Sequence, residues 1–181
     1  MPRMTRTNAR QLALQLSFAA AAGSDIGPEE FFEEDYFRAL PAEDNLFAEE
    51  PDETQRAYIT ALVNGVSEHR EELDALVSRY AHGWKISRIS RTALAVLRVA
   101  LYEILYMPDI PDAASINEAV ELAKGFDEPE TVRFINGILG SFMRERGEAV
   151  PEVTIEDEAP AEEEAPAGEE NAADDTAAAE E

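Results

Sequence analysis

The sequence contains no cysteine, which removes disulfides, thiol nucleophiles and thiolate zinc sites at once. Its only histidines, His69 and His82, fall in different segments with no nucleophile motif around them. Neither phosphate-cradling pattern, G-x-x-x-x-G-K-[ST] or G-x-G-x-x-G, occurs. The acids crowded into residues 25–53 read as a solvated face rather than as a general acid and base. No carboxylates have a spacing that argues for a metal. No catalytic residue, cofactor or metal site is therefore expected, and an enzyme is disfavoured. The N-terminus lacks a signal-peptide core. The longest apolar stretch, residues 93–107, is interrupted by Arg98 and Glu103 and stops at Pro108, short of the roughly 20 residues a membrane span needs. These features predict a soluble, cytoplasmic chain with no membrane partner.

Basic residues are scarce and unevenly placed. The formal charge is −24 over 181 residues, enough for one domain and an appendage. Residues 1–147 hold all 15 Lys and Arg against 25 acids, whereas residues 148–181 hold 14 acids and no base. A second acidic block, residues 25–53, sets twelve acids against Arg38. Two stretches are free of acids: residues 1–24, with Arg3, Arg6 and Arg10, and residues 79–98, with Arg79, Lys85, Arg88, Arg91 and Arg98. Such segregation is what a nucleic-acid footprint requires. Ordinary solvated arginines give the same pattern, and the charges by themselves do not separate the two readings.

Strand signals are weak, and Val and Ile recur at helical spacing. A first helix is predicted from residues 5–8 to 22, stopped by Gly23. Leu12, Leu16 and Ala19 form one stripe on it, with Leu14, Phe18 and Ala21 nearly opposite. A helix apolar on two faces is buried on both or offers one to a partner. Residues 24–53 read as a short helix and a loop, with aromatics at Phe31, Phe32, Tyr36 and Phe37. Residues 54–80 read as one long helix, or two broken near 68–70. Residues 90–106 are apolar almost all round and predict a central buried helix. Ser115 and Glu118 suggest a capping box that opens the next helix, ended by Lys124 and Gly125. Pro129 suits the first turn of a last helix, with Val132, Ile135, Leu139 and Phe142 as its core stripe. Gly137 and Gly140 within it suggest a close approach by a neighbour. From residue 148 the chain is rich in Glu, Ala and Pro with almost no large apolar side chain, so a disordered tail is expected.

Arg6 and Arg10, four residues apart, share a helix face if the helix has begun by Arg6. Beside the Leu14 and Phe18 stripe, two guanidiniums can neutralise phosphates while the aromatic stacks on a base. A charged N-terminus that merely keeps the helix in water explains the same residues, as does a Phe18 buried under the acidic segment.

Three segments carry a more specific signal: residues 5–18 (TRTNARQLALQLSF), 89–105 (ISRTALAVLRVALYEIL) and 110–139 (IPDAASINEAVELAKGFDEPETVRFINGIL). The phrases LR-x-ALYE, INEA-x-ELAK-x-F and F-x-NG-x-L, in that order, closely resemble the NusB family over roughly residues 4–146. The resemblance implies an all-α fold of two small helical bundles packed together, occupying residues 1–147. It implies a transcription antitermination factor that binds the boxA element of nascent ribosomal RNA transcripts. Its partners would be the ribosomal protein NusE, other Nus factors and RNA polymerase. Carried over residue by residue, it implies RNA contacts at Arg6, Arg10, Phe134 and Glu130, partner contacts at Leu14 and Phe18, and a structural or partner-binding role for Arg98. The N-terminus has isolated arginines where many relatives have a denser run, which implies low intrinsic RNA affinity. Ala93 stands where the family often has an acid, which bears on an ionic contact to NusE.

Two other functions fit such a chain: a protein adaptor that never touches RNA, and a substrate-holding module related to the domain that precedes ribosomal RNA cytosine methyltransferases. The latter needs a following catalytic domain, where this sequence has an acidic tail. That tail is itself a candidate internal competitor of RNA, or a solubiliser that never touches the body.

Overall fold

The computed structural model describes residues 4–33 and 50–151. Tyr36, Phe37, Arg38 and the acidic tail from residue 152 onward lie outside the described residues. Those described form seven α-helices, one 3-10 turn and no strand. The helices are α1 (Arg6–Ala21), α2 (Pro28–Glu33), α3 (Glu53–Glu68), α4 (Arg70–Tyr80), α5 (Arg91–Tyr106), α6 (Asp112–Phe126) and α7 (Pro129–Arg146).

Local chemistry explains most of the boundaries. Thr5 caps α1 by accepting the Asn8 N–H at 3.0 Å, and Gly23 ends it at φ +96°, where a Cβ would be strained. Asp52 and Gln55 form a reciprocal capping box that opens α3. The segment expected as one helix or two is two, broken at His69. Ser90 caps α5 through the Ala93 N–H at 3.0 Å. Pro129 occupies the first turn of α7, and Gly147, at φ +75°, closes it.

Helix α5 is the central element, packing against α1, α3, α4, α6 and α7. Helices α1, α2 and α3 gather on one side of it, and α4, α6 and α7 on the other. Leu97, Leu101, Ile59, Leu73, Ile116, Ile135 and Leu139 are completely shielded from solvent. They belong to one continuous core. Each large aliphatic side chain buried in this way contributes roughly 1.5–3 kcal/mol relative to exposure.

Three local expectations are overturned. Ser115 does not open a helix: α6 begins at Asp112, after Pro111, and Ser115 is buried within it with no partner for its hydroxyl. Glu118 cannot reach back as a box partner because Thr7 and Arg10 of α1 have captured its carboxylate. Gly125 is not the stop either, since α6 runs on to Phe126. Nor does Gly137 mark a close approach, because a Cβ there would meet nothing within 4 Å. At Gly140 a Cβ would meet Val150 and Arg144 at 3.4 Å. The glycine that does admit a neighbour is Gly65 in α3, where a Cβ would overlap the Tyr102 ring of α5. The packed body continues past α7: Glu148 accepts from Arg146 at 2.9 Å, and Val150 lies against the core.

Candidate nucleic-acid interface

Two charged side chains in the apolar helix α5 must find partners, because a buried unpaired charge is very costly. Arg98 donates through Nε and Nη2 to both oxygens of Asp74 on α4, at 2.7 and 2.8 Å. Glu103 is fully buried, and it accepts from Arg10 Nε through both oxygens at 2.9 and 3.0 Å. The Tyr58 hydroxyl of α3 donates to the same carboxylate. Arg10 Nη1 lies 3.2 Å from Glu118 on α6, whose other oxygen accepts from Thr7 at 3.2 Å. This network joins α1, α3, α5 and α6. Desolvation pulls the Arg10 pKa down, but the Glu103 and Glu118 carboxylates outweigh it and hold the guanidinium above its ordinary value. Burial and the Glu103 charge push the Tyr58 phenol well up, so it stays protonated and donates.

The expected Arg6–Arg10 surface pair is therefore not formed. Arg10 is only 2% exposed and points inward, whereas Arg6 is exposed with no ion-pair partner among the described residues. Leu14, expected to face a partner, is buried at 3% exposure. Arg98 is also buried and committed to Asp74, although its edge lines a surface cleft. Ala93, which the resemblance aligns with a frequent acid of the family, is completely shielded.

Phe18 does reach solvent, at 37% exposure. It borders two depressions. One, of about 360 Å³, is edged by Arg70, Arg91, Ile86 and Leu94, with Arg98 at its base. Arg70 and Arg91 are exposed and have no carboxylate partner among the described residues. The other, of about 220 Å³, is almost wholly apolar and lies between Phe18, Leu14, Ala95 and Phe126. Phe126 is itself 46% exposed. Sequence reasoning missed it, although an aromatic outside the α6 core stripe and beside Gly125 was a usable signal.

A second aromatic group sits at the start of α7. Phe134 is half-buried, and its ring centroid lies 5.5 Å from that of Trp84. Glu130 is exposed one turn earlier on α7. Of the acid-free stretch 79–98, Arg79 is paired with Glu145 and Arg98 with Asp74. Lys85, Arg88 and Arg91 are left exposed.

The signature phrases thus supply two distinct things. Glu103 of LR-x-ALYE and Glu118 of INEA-x-ELAK-x-F hold the interior together, while Phe126 and Phe134 reach the surface. The sequence model described as "NusB family" matches residues 7–144. The chain belongs to the NusB family. A transcription antitermination protein NusB from Symbiobacterium thermophilum is 40% identical over 142 residues, covering 78% of this chain and 90% of that protein. Among solved structures, T. maritima NusB superposes with a TM-score of 0.63 at 29% identity, over 83% of this chain and 96% of the other. A crystal structure of the antitermination factors NusB and NusE in complex with dsRNA superposes with a TM-score of 0.61 over 77% and 96% of the chains. At 18% identity the latter speaks for the NusB fold alone. Among the described residues no helix is long and apolar enough to cross a membrane.

Proposed function

We propose that this chain is a non-catalytic transcription antitermination factor that binds single-stranded boxA RNA together with the ribosomal protein NusE. It would act in the cytoplasm beside other Nus factors and RNA polymerase. The observation that carries the reading is the junction at Phe18. An exposed aromatic separates a cleft edged by unpaired arginines from an apolar notch, so phosphate and protein ligands have adjoining, chemically distinct places to dock. The cationic side suits RNA phosphates, since guanidiniums bind them in a planar fork. The apolar side, between Phe18 and Phe126, suits a hydrophobic anchor from a protein partner. The name carried by the relatives supports the same assignment.

Within this reading Arg6, Phe134 and Glu130 keep surface positions compatible with RNA contact, and Phe18 with partner contact. Arg10 acts instead through the interior, by fixing how α1 presents those groups, while the buried Leu14 and Arg98 form the inner walls of the apolar notch and of the cationic cleft. Recognition belongs to the body, which extends past residue 147 to Val150 packed on the core, and residues 152–181 add a strongly acidic segment to it.

The deciding experiment titrates a boxA oligonucleotide with and without purified NusE across a salt series. The reading expects tighter binding with NusE and a logarithmic salt slope of several times −0.7, as for a few phosphate contacts on a single strand. NusE binding without any RNA binding would make the chain a protein adaptor.

A further inference from the structure

We infer that Trp84 is a base-stacking residue, and that with Phe134, Lys85 and Arg88 it forms a site for an unpaired nucleobase and its flanking phosphates. The inference deepens the RNA-binding reading and rests on it.

The loop after α4 is built to display this ring. Gly83 adopts φ +81°, and the Trp84 N–H donates to the Ala81 carbonyl at 2.7 Å, closing a tight turn. The 3-10 turn at Ile86–Arg88 then leads toward α5. Trp84 emerges 52% exposed, more than the other large apolar side chains that reach the surface. The core thus gains little from it. It meets Phe134 with the ring planes 50° apart, and no other ring contact engages the indole among the described residues, so about half of its surface stays open to solvent. His82, Lys85 and Arg88, within four residues of it along the chain, are exposed, and no carboxylate pairs with Lys85 or Arg88 among the described residues. An indole among cations fits the chemistry of single-stranded nucleic acid, in which bases stack and phosphates alternate with them. A protein hot spot would more commonly be apolar at its centre, as the Phe18–Phe126 notch is. Glu130, one turn before Phe134, is the nearby acid on α7; its carboxylate can accept from an exocyclic amine of a stacked base.

Because Trp84 is the single tryptophan of the chain, its fluorescence reports on this position alone. The test adds a boxA RNA oligonucleotide to the full chain with NusE. It follows tryptophan emission after subtracting NusE alone, with affinity measured separately by anisotropy of labelled RNA. The expected result is saturable quenching with the same midpoint as the anisotropy. Trp84→Ala should weaken RNA binding by about five- to a hundredfold with the salt slope unchanged, and Trp84→Phe should recover most of the loss. Lys85→Ala should instead lower the slope by about 0.7. Melting temperatures of the Trp84 variants should match the parent, given its exposure. Equal affinity of Trp84→Ala and parent, with no quenching on a bound RNA, overturns the stacking site while leaving RNA binding intact. Emission that changes with NusE or protein concentration, but not with RNA, assigns the ring to a protein contact and overturns it too. If the parent binds no RNA at any salt concentration, the RNA-binding reading fails, and this site with it.

Discussion

Arg10 offers the sharpest test of how this molecule is built, because surface and interior roles predict opposite results. Replacing it with Ala removes both hydrogen bonds to a fully buried carboxylate and leaves Glu103 with the Tyr58 hydroxyl. Breaking a buried ion pair from one side typically costs about 3–5 kcal/mol, because the surviving charge stays desolvated. For a body of this size, about 3–5 °C is lost per kcal/mol. Arg10→Ala should therefore lower the melting temperature by roughly 10–20 °C. Thermal unfolding followed by circular dichroism at pH 7 measures this directly. A companion variant separates pairing from packing: Arg10→Met with Glu103→Leu and Tyr58→Phe replaces the polar set by apolar groups and should recover most of the loss. Measured below its melting transition, Arg10→Ala should retain the parental salt slope for RNA, whereas exposed Arg6→Ala should lose about 0.7. A fall of less than about 3 °C, or a loss of slope in the folded Arg10→Ala protein, would refute the interior assignment.

Phe18→Asp should abolish NusE binding, read by calorimetry, with a melting temperature within a few degrees of the parent; Leu14→Ala, by contrast, should cost about 2–5 kcal/mol of stability. Gly65→Ala should destabilise by about 1–3 kcal/mol through overpacking against Tyr102, and the double variant with Tyr102→Leu should melt above the single one. Asp127 has its pKa raised, chiefly by desolvation and also by Glu128, with Ser90 opposing. Its folded pKa exceeds its unfolded one, so its stabilising share is complete below the unfolded value and is lost as pH rises through the folded value. Asp127→Asn should accordingly raise the melting temperature at pH 7, and that advantage should vanish below about pH 4. Removing residues 152–181, with the cut placed after Pro151 to spare Val150, should tighten RNA binding at low salt and change it little at high salt. Equal affinities at low salt would make the tail a solubiliser or spacer.

Elements governed by near neighbours in the chain were legible from the residues alone. Gly23 and Pro129 were read in this way, and Thr5, Ser90 and Gly147, which went unread as caps, act just as locally, so a cap, a first-turn proline or a left-handed glycine works wherever the helix is later placed. The all-round apolar character of residues 91–106 foretold a central helix for the same reason: no arrangement leaves such a surface in water. The family phrases were equally readable as strings, and they carried the fold. The sequence also posed a question that it did not answer, since Arg98 and Glu103 inside that helix each demanded a counter-ion from elsewhere.

Only the tertiary structure chose the partners. Arg10 has the same helical spacing from Arg6 whether it faces RNA or the interior; the approach of α5 and α6, more than 90 residues away, turned it inward. That same approach took Glu118 from the capping role its spacing from Ser115 suggested, and the closeness of α3 to α5 made Gly65 the indispensable glycine rather than Gly137. It also left Trp84, Phe18 and Phe126 outside the core that hydrophobicity alone would have assigned them. Caps and periodicity are local free energies summed along the chain. The pairing of buried charges and the exposure of aromatics depend on which helices meet, and so were settled only when the helices packed.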